Sequence, residues 1–392
     1  MQRILLAGLS ALTMSLLPAA GHAQGTVKIG LILPYSGQFA DGATQMDNAI
    51  KLYLKQHGDM LGGMKVEIIR KDTGGIAPPV AKRLAQELVT RDNVDILAGF
   101  LLTPNAMAAA DVSAEAKKYM VVMNAATAII TTKSPYMVRT SLTVPQLTQT
   151  LGTWAAKQGL KNAYTMVTDY GPGIDAEGAF QKGFKDAGGE VVGSVRMAVQ
   201  NPDFTAYVQR AKDLHPQGIF AMIPGGAQPG AFGKALAEVG IDPKKTQVMG
   251  QLEIADEHAL ASMGDIAEGI VTAAHYDYNH KSKMNEDFVK AYNAEFKRNP
   301  DFFSIGGYDG MHAIDAALQK SGGKTDGESL ISAAKGMSWE SPRGPISIDP
   351  ETRDIVQTVY INKVEKVDGH LVNVQIAAVP NVKDPVKAAM KK

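Results

Sequence analysis

The sequence contains no cysteine. That absence excludes disulfides, thiolate metal ligands, thiol nucleophiles and a lipid anchor attached through cysteine. Charge of either sign is not in surplus, since 40 Lys and Arg balance 40 Asp and Glu. No basic stripe invites nucleic acid, and no polybasic tract invites anionic lipid. Beyond residue 24 no apolar run is long enough to cross a bilayer. Aromatic residues make up only 6% of the chain, so those near predicted loops matter individually. Phe39, Tyr170, Phe303 and Tyr308 fall there, and each either packs in a core or lines a cleft. Tyr276 and Tyr278 pose the same choice.

The usual signatures of catalysis are also missing. There is no G-x-S-x-G nucleophile elbow. His57, His215, His258, His275, His280, His312 and His370 are scattered, with no pair at zinc-binding helical spacing. The glycine-rich stretch 226–234 fails as a P-loop, because Gln228 breaks the spacing and Ala235 replaces the Ser/Thr. Gly171-Pro172-Gly173-Ile174-Asp175-Ala176 formally fits a relaxed dinucleotide fingerprint. Pro172 stiffens it, and a secreted chain has little access to such cofactors, so it reads as a structural turn with Tyr170 facing a cleft. The chain is expected to be no enzyme and to need no cofactor or metal.

What is present starts at the N-terminus. Met1-Gln2-Arg3 is a short basic start, residues 4–17 are apolar, and Gly21-His22-Ala23 offers the small residues a signal peptidase needs. This pattern predicts a secretory signal peptide over residues 1–23, cleaved after Ala23; the alternative is a retained membrane anchor. Cleavage leaves about 370 residues, enough for two domains, and the missing cysteines suit a bacterial periplasm.

From Val27 onward strand and helix alternate. Strands are predicted over 27–33, 65–69, 94–99 and 120–123, with helices over 46–55, 81–89 and 106–118 between and after them. A second cycle runs from about 142, with strands over 163–167, 190–195, 218–223 and 247–250 and helices over 147–157, 176–187, 204–214 and 231–239. Such βαβ units imply two doubly wound parallel sheets in series. After a strand over 270–273, helices are expected over 285–298 and 308–320. A hairpin through Asp368-Gly369 follows, between runs at 355–364 and 371–376. No low-complexity linker separates the halves, so plain extended segments should carry the chain between lobes. Three are expected, near Arg139-Thr140-Ser141, Ala273-Ala274-His275 and Pro345-Ile346.

An open α/β sheet holds its ligand at the carboxyl ends of its strands. Three loops gather there in the first half: Tyr35-Ser36-Gly37-Gln38, Leu102-Thr103-Pro104-Asn105 and Asn124-Ala125-Ala126-Thr127-Ala128. The last two offer hydroxyls and open backbone N–H groups, and the second precedes a helix N-terminus, which favours an anion. Either they clamp a small oxyanion such as a carboxylate, or they are ordinary βα turns with Thr as a helix cap. Glu253 and Asp256 fall at the mouth of the second sheet, as ligand contacts or as solvated carboxylates.

Together, Gly30-x-x-x-Pro34-x-Ser36-Gly37, the loop after Gly99, Asn124-Ala125-Ala126-Thr127, Asp169-Tyr170-Gly171 and Gly307-Tyr308-Asp309 resemble the periplasmic leucine/isoleucine/valine-binding protein family. These are the solute receptors of branched-chain-amino-acid-type ABC importers. The resemblance runs through the whole mature chain. It implies a type I periplasmic binding fold, with two lobes joined by three hinge crossings and ligand in the cleft. The lobes would comprise 24–140 plus 275–345, and 141–274 plus 346–392. It places the ligand carboxylate on Thr103, Ala125 and Thr127 beside Leu102, apolar contacts on Phe39 and Phe303, and an ammonium-reading acid near Glu253. The chain departs from amino-acid receptors at Asp169-Tyr170-Gly171-Pro172-Gly173, and at Pro224-Gly225-Gly226, where an aromatic is expected near Met222. Both changes touch the reading of the ammonium and side chain. The resemblance therefore implies a monomeric receptor for an aromatic or other organic acid, delivering it to an ABC permease. The alternatives are a branched-chain amino acid receptor and a ligand sensor coupled to a regulator.

Overall fold

The computed structural model describes residues 25–390. The expected signal peptide and its cleavage point after Ala23 lie outside the described residues. The first sheet is built from β1 (Thr26–Leu33), β2 (Met60–Leu61), β3 (Met64–Asp72), β4 (Ile96–Gly99), β5 (Tyr119–Val122) and β6 (Met137–Arg139). Their order is β2-β3-β1-β4-β5-β6. All pair in parallel except the short β2. Helices α1 (Ala40–Gln56), α2 (Pro78–Thr90) and α3 (Thr103–Glu115) connect them. β4 and β5 are buried along their whole length, so they read as unbroken apolar runs rather than alternating ones.

The chain leaves this sheet at residues 140–143 and starts α4 (Val144–Lys157) with a reciprocal capping box between Thr143 and Gln146. A second parallel winding follows: β7 (Asn162–Thr168), α5 (Gly171–Asp186), β8 (Glu190–Met197), α6 (Phe204–Asp213), β9 (Gly218–Met222), α7 (Gln228–Val239), β10 (Gln247–Gln251), α8 (Glu257–Met263) and β11 (Val271–Ala274). Residues 275–282 then carry the chain back. Helices α9 (Lys283–Phe296), α10 (Phe302–Lys320) and α11 (Gly327–Ala334) return to the first lobe. There Met311, Ile314 and Leu318 join the core of β1, β4 and α1, and Asp315 accepts Tyr53 Oη at 3.0 Å and Gly62 N at 2.7 Å.

The last strands are β12 (Ser338–Ser341), β13 (Gly344–Ile348), β14 (Ile355–Val367) and β15 (His370–Val382), before α12 (Pro385–Met390). They extend the second sheet to nine strands, ordered β12-β13-β14-β11-β10-β9-β7-β8 with β15 on β14. Asp368 and Gly369 both take positive φ, 50° and 83°, as the hairpin turn between β14 and β15 requires. Ile348 packs in the first-lobe core, whereas Val359 and Ile361 pack in the second. The third pass between lobes thus falls at 349–354. Among the described residues no helix is long and apolar enough to cross a membrane.

Several helices begin earlier than the apolar periodicity predicts. Helix α5 starts at Gly171 rather than 176, so Gly171-Pro172-Gly173 is a first helical turn and not a free turn, with proline where a helix start tolerates it. Helix α10 starts at Phe302 rather than 308 because Asp301 caps it, with Ser304 bonding back. Polar caps and small residues hide these first turns from a reading of apolar spacing. The short β6, β12 and α11 carry too few apolar residues to show a period.

Candidate functional site

The carboxyl ends of β4 and β5 carry the two loops expected to face a ligand. Thr103 is the first residue of α3, and its N-cap Leu102 supplies no side-chain cap. The N–H groups of that first turn are left for another acceptor. Thr127 bonds Thr103 Oγ1 twice, through its hydroxyl at 3.1 Å and its N–H at 3.4 Å. Having accepted both, the Thr103 hydroxyl keeps its own hydrogen to donate elsewhere. Ala125 behaves differently from expectation: its N–H is committed to the Phe100 carbonyl at 2.9 Å. The neighbouring Ala126 N–H has no acceptor among the described residues.

Across the cleft, α5 presents its own N-terminus to the threonine pair. A Cβ on Gly171 would stand 3.1 Å from Thr127 Oγ1 and 3.7 Å from Thr103 Cγ2. Two positive helix ends from opposite lobes therefore converge on two hydroxyls, an arrangement suited to an anion. Next to them, Ala128 N–H donates to Asp175 Oδ2 of α5 at 2.7 Å. Gly171-Pro172-Gly173 thus opens α5 directly after β7; Gly171 faces Thr127, whereas Gly173 packs against the Thr168 carbonyl.

Tyr170 and Glu253 are half-buried neighbours. Burial, then the Asp256 charge, pushes the Glu253 carboxyl up to about 7, against the lowering influence of Gln251 and the Gly225 backbone. Burial, then the Glu253 charge, raises the Tyr170 hydroxyl. Pro224 is buried at the end of β9 and leads into Gly225-Gly226, whose backbone reaches the cleft.

Between the lobes lies a cavity of about 420 Å³. Phe39, Gly42, Leu101 and Phe303 line it from the first lobe, and Gly225 and Gly226 from the second. Gly42 makes room for the Phe303 ring, which a Cβ there would meet at 2.9 Å. The rim is charged. Arg298 grips Asp41 at 2.7 and 3.1 Å, and burial pushes Asp256 up to about 6 and Asp301 up to about 7. The residues expected from sequence therefore fall into three groups. Phe39 and Phe303 line the cavity, Leu102, Ala125, Thr103 and Thr127 form the hydroxyl corner, and Tyr170, Pro224 and Glu253 form the second-lobe edge. Gly225 and Gly226, expected to touch the reading of the ligand as a departure from amino-acid receptors, line the cavity. The Asp41–Arg298 pair carries no sequence signal, because it joins residues 257 apart. No cluster of three metal-ligating side chains occurs among the described residues.

Two parallel-sheet lobes with a cavity between their strand ends define a solute-binding protein of the type I periplasmic fold. The chain belongs to the periplasmic binding protein family, whose model matches residues 26–369. It is 41% identical over 381 residues to Leu/Ile/Val-binding protein homolog 6 of Brucella abortus, covering 96% of this chain and 97% of that one. A solute-binding protein of an ABC transporter from Rhodopseudomonas palustris BisB5, solved with 3,4-dihydroxybenzoic acid, is 51% identical with a TM-score of 0.88, covering 92% of this chain and 99% of that one. A counterpart from R. palustris HaA2, solved with p-hydroxybenzoic acid, is 39% identical with a TM-score of 0.89, covering 93% and 100%. The protein is a solute receptor of the ABC-transporter type, and not an enzyme.

Proposed function

We propose that this receptor captures an aromatic carboxylate of the hydroxybenzoate kind in its cleft and delivers it, as a periplasmic monomer, to a membrane permease. The observation that carries this reading is the Thr103–Thr127 pair set between two opposed helix N-termini. A carboxylate there would receive charge-assisted hydrogen bonds. The aromatic body suits a cavity walled by Phe39, Leu101 and Phe303. The relatives solved with hydroxybenzoic acids support the ligand class. Glu253 favours a phenolic hydroxyl over an ammonium, because burial holds its carboxyl near 7; a partly protonated acid is a poor counter-ion and a sound hydrogen-bond partner. The three segments 140–143, 275–282 and 349–354 would act as hinges, a closure of the kind two-lobed binding proteins use.

Calorimetric titration with 3,4-dihydroxybenzoate, 4-hydroxybenzoate, benzoate and leucine tests this. The hydroxybenzoates should bind most tightly and leucine least. Replacing Thr103 and Thr127 together by alanine should weaken the acids by about tenfold or more, the worth of a hydrogen bond to a charged group. Undiminished affinity in that double variant would remove the clamp, and preference for leucine would remove the aromatic reading.

A further inference from the structure

Arg139 is fully buried at the end of β6, a position the sequence marks only as the start of a crossing. Its guanidinium is spread over the 125–128 loop. Nη1 donates to the carbonyls of Ala125 at 3.1 Å and Thr127 at 2.7 Å, and Nη2 to that of Ala128 at 3.4 Å. Nε and Nη2 also hold Asp354 Oδ1 at 3.1 and 2.6 Å. The other oxygen of Asp354 takes Lys387 of α12 at 2.6 Å. The buried charge is thus partnered, as it must be to be tolerated. The anchor, Asp354, lies at the third pass between the lobes.

A trans peptide points its C=O and N–H in opposite directions. With the Ala125 carbonyl held inward by Arg139, the Ala126 N–H is turned the other way and stays free of protein acceptors among the described residues. With the Thr127 carbonyl held inward, the Ala128 N–H is turned outward, where it donates to Asp175 of the opposite lobe at 2.7 Å. One planar fork sets both directions. A lysine ammonium keeps the charge but lacks the rigid fork that spans three carbonyls and a carboxylate.

We propose that Arg139 is the positioning residue of the carboxylate site: without touching the ligand, it aims the Ala126 N–H at the anion and keeps Thr127 seated on Thr103. This rests on the proposed aromatic-acid function. It predicts that Arg139 acts on the ligand's charge and leaves the rest of the ligand unaffected.

The test compares 3,4-dihydroxybenzoate with its uncharged analogue 3,4-dihydroxybenzamide in the wild-type protein and in Arg139→Lys, which retains a cation for Asp354. The variant should lose about tenfold in affinity for the acid, as for one hydrogen bond to a charged group, and little for the amide, so that the acid-to-amide preference collapses. Equal losses for both ligands, or none, would overturn the proposal, because a merely structural role would not distinguish them. Should Arg139→Lys fail to fold, the wild type still decides. With the alanines labelled with nitrogen-15, the Ala126 N–H resonance should shift strongly on adding the acid and weakly on adding the amide; an unmoved resonance overturns the proposal. A wild type that binds neither compound brings down the aromatic-acid function itself. One that binds the acid while Arg139→Lys keeps the preference brings down only the role of Arg139.

Discussion

Gly171 and Gly173 show how much of the site depends on single missing side chains. A Cβ on Gly173 would lie 1.8 Å from the Thr168 carbonyl oxygen. That oxygen belongs to the backbone ending β7 and has no flexible route away. Gly173→Ala should therefore destabilise the protein by about 1–3 kcal/mol or more, as overpacking does. A Cβ on Gly171 meets nothing tightly except the Thr127 hydroxyl, at 3.1 Å, its other neighbours standing at 3.7 Å, so Gly171→Ala should fold nearly as well while crowding the anion corner. Thermal melts should rank Gly173→Ala well below Gly171→Ala, and titrations should find the weaker ligand binding in folded Gly171→Ala. Equal melts would mean that α5 moves away from β7 freely. At this scale the sequence is partly legible. Thr103 and Thr127 stand out as hydroxyls at the ends of buried strands, and Phe39 and Phe303 as rare aromatics near loops. Arg139 does not stand out, because its meaning lies in three carbonyls and a carboxylate 215 residues away, and linear spacing holds no trace of that fork.

Helix α10 shows the same dependence for a whole element. It carries a face without side chains: a Cβ on Gly306 would stand 2.1 Å from the Met123 carbonyl oxygen, and one on Gly307 2.5 Å from that of Met46. One on Gly310 would stand 2.5 Å from Met123 Cε. The helix therefore rests directly on the backbone that leads into the 124–128 loop. Gly306→Ala should push that backbone, costing both melting temperature and affinity for the carboxylate. Gly310→Ala meets the end of a flexible methionine side chain, which can repack, and should cost less of both. Calorimetric titration alongside melting separates the effects; a Gly306→Ala protein with full affinity would show that α10 does not hold the loop. The core of this helix was legible from its apolar period over 308–320, but its first turn was not. Residues 302–307 owe their helical state to the Asp301–Ser304 cap and to close backbone packing, and neither has an apolar period. Strands such as β4, β5 and β9 were legible for the opposite reason, since burial along their whole length makes them unbroken apolar runs.

At the scale of the whole molecule, folding buries acids that the unfolded chain leaves in water. Burial, as the largest cause, pushes Glu253 and Asp301 up to about 7 and Asp256 up to about 6. In the unfolded chain each titrates at roughly 4. The folded protein therefore binds more protons than the unfolded chain between roughly pH 4 and 7, and stability falls as pH rises through that window. Three histidines bend the curve the other way. His275, His280 and His312 are all held below their ordinary value, first by burial, so the unfolded chain takes up their protons first and stability rises with pH up to roughly 6.5. The wild-type melting curve mixes the two signs, and the difference between variants isolates one. Glu253→Gln removes a single carboxyl and keeps its shape, so its melting temperature relative to wild type should climb from pH 5 to about pH 7 and level off by pH 8. A difference that stays constant over that range would mean that Glu253 is as well hydrated in the folded protein as in the unfolded chain. The acid would then be free to act as a full charge, and the case for a phenolic hydroxyl over an ammonium at the second-lobe edge would fall with it.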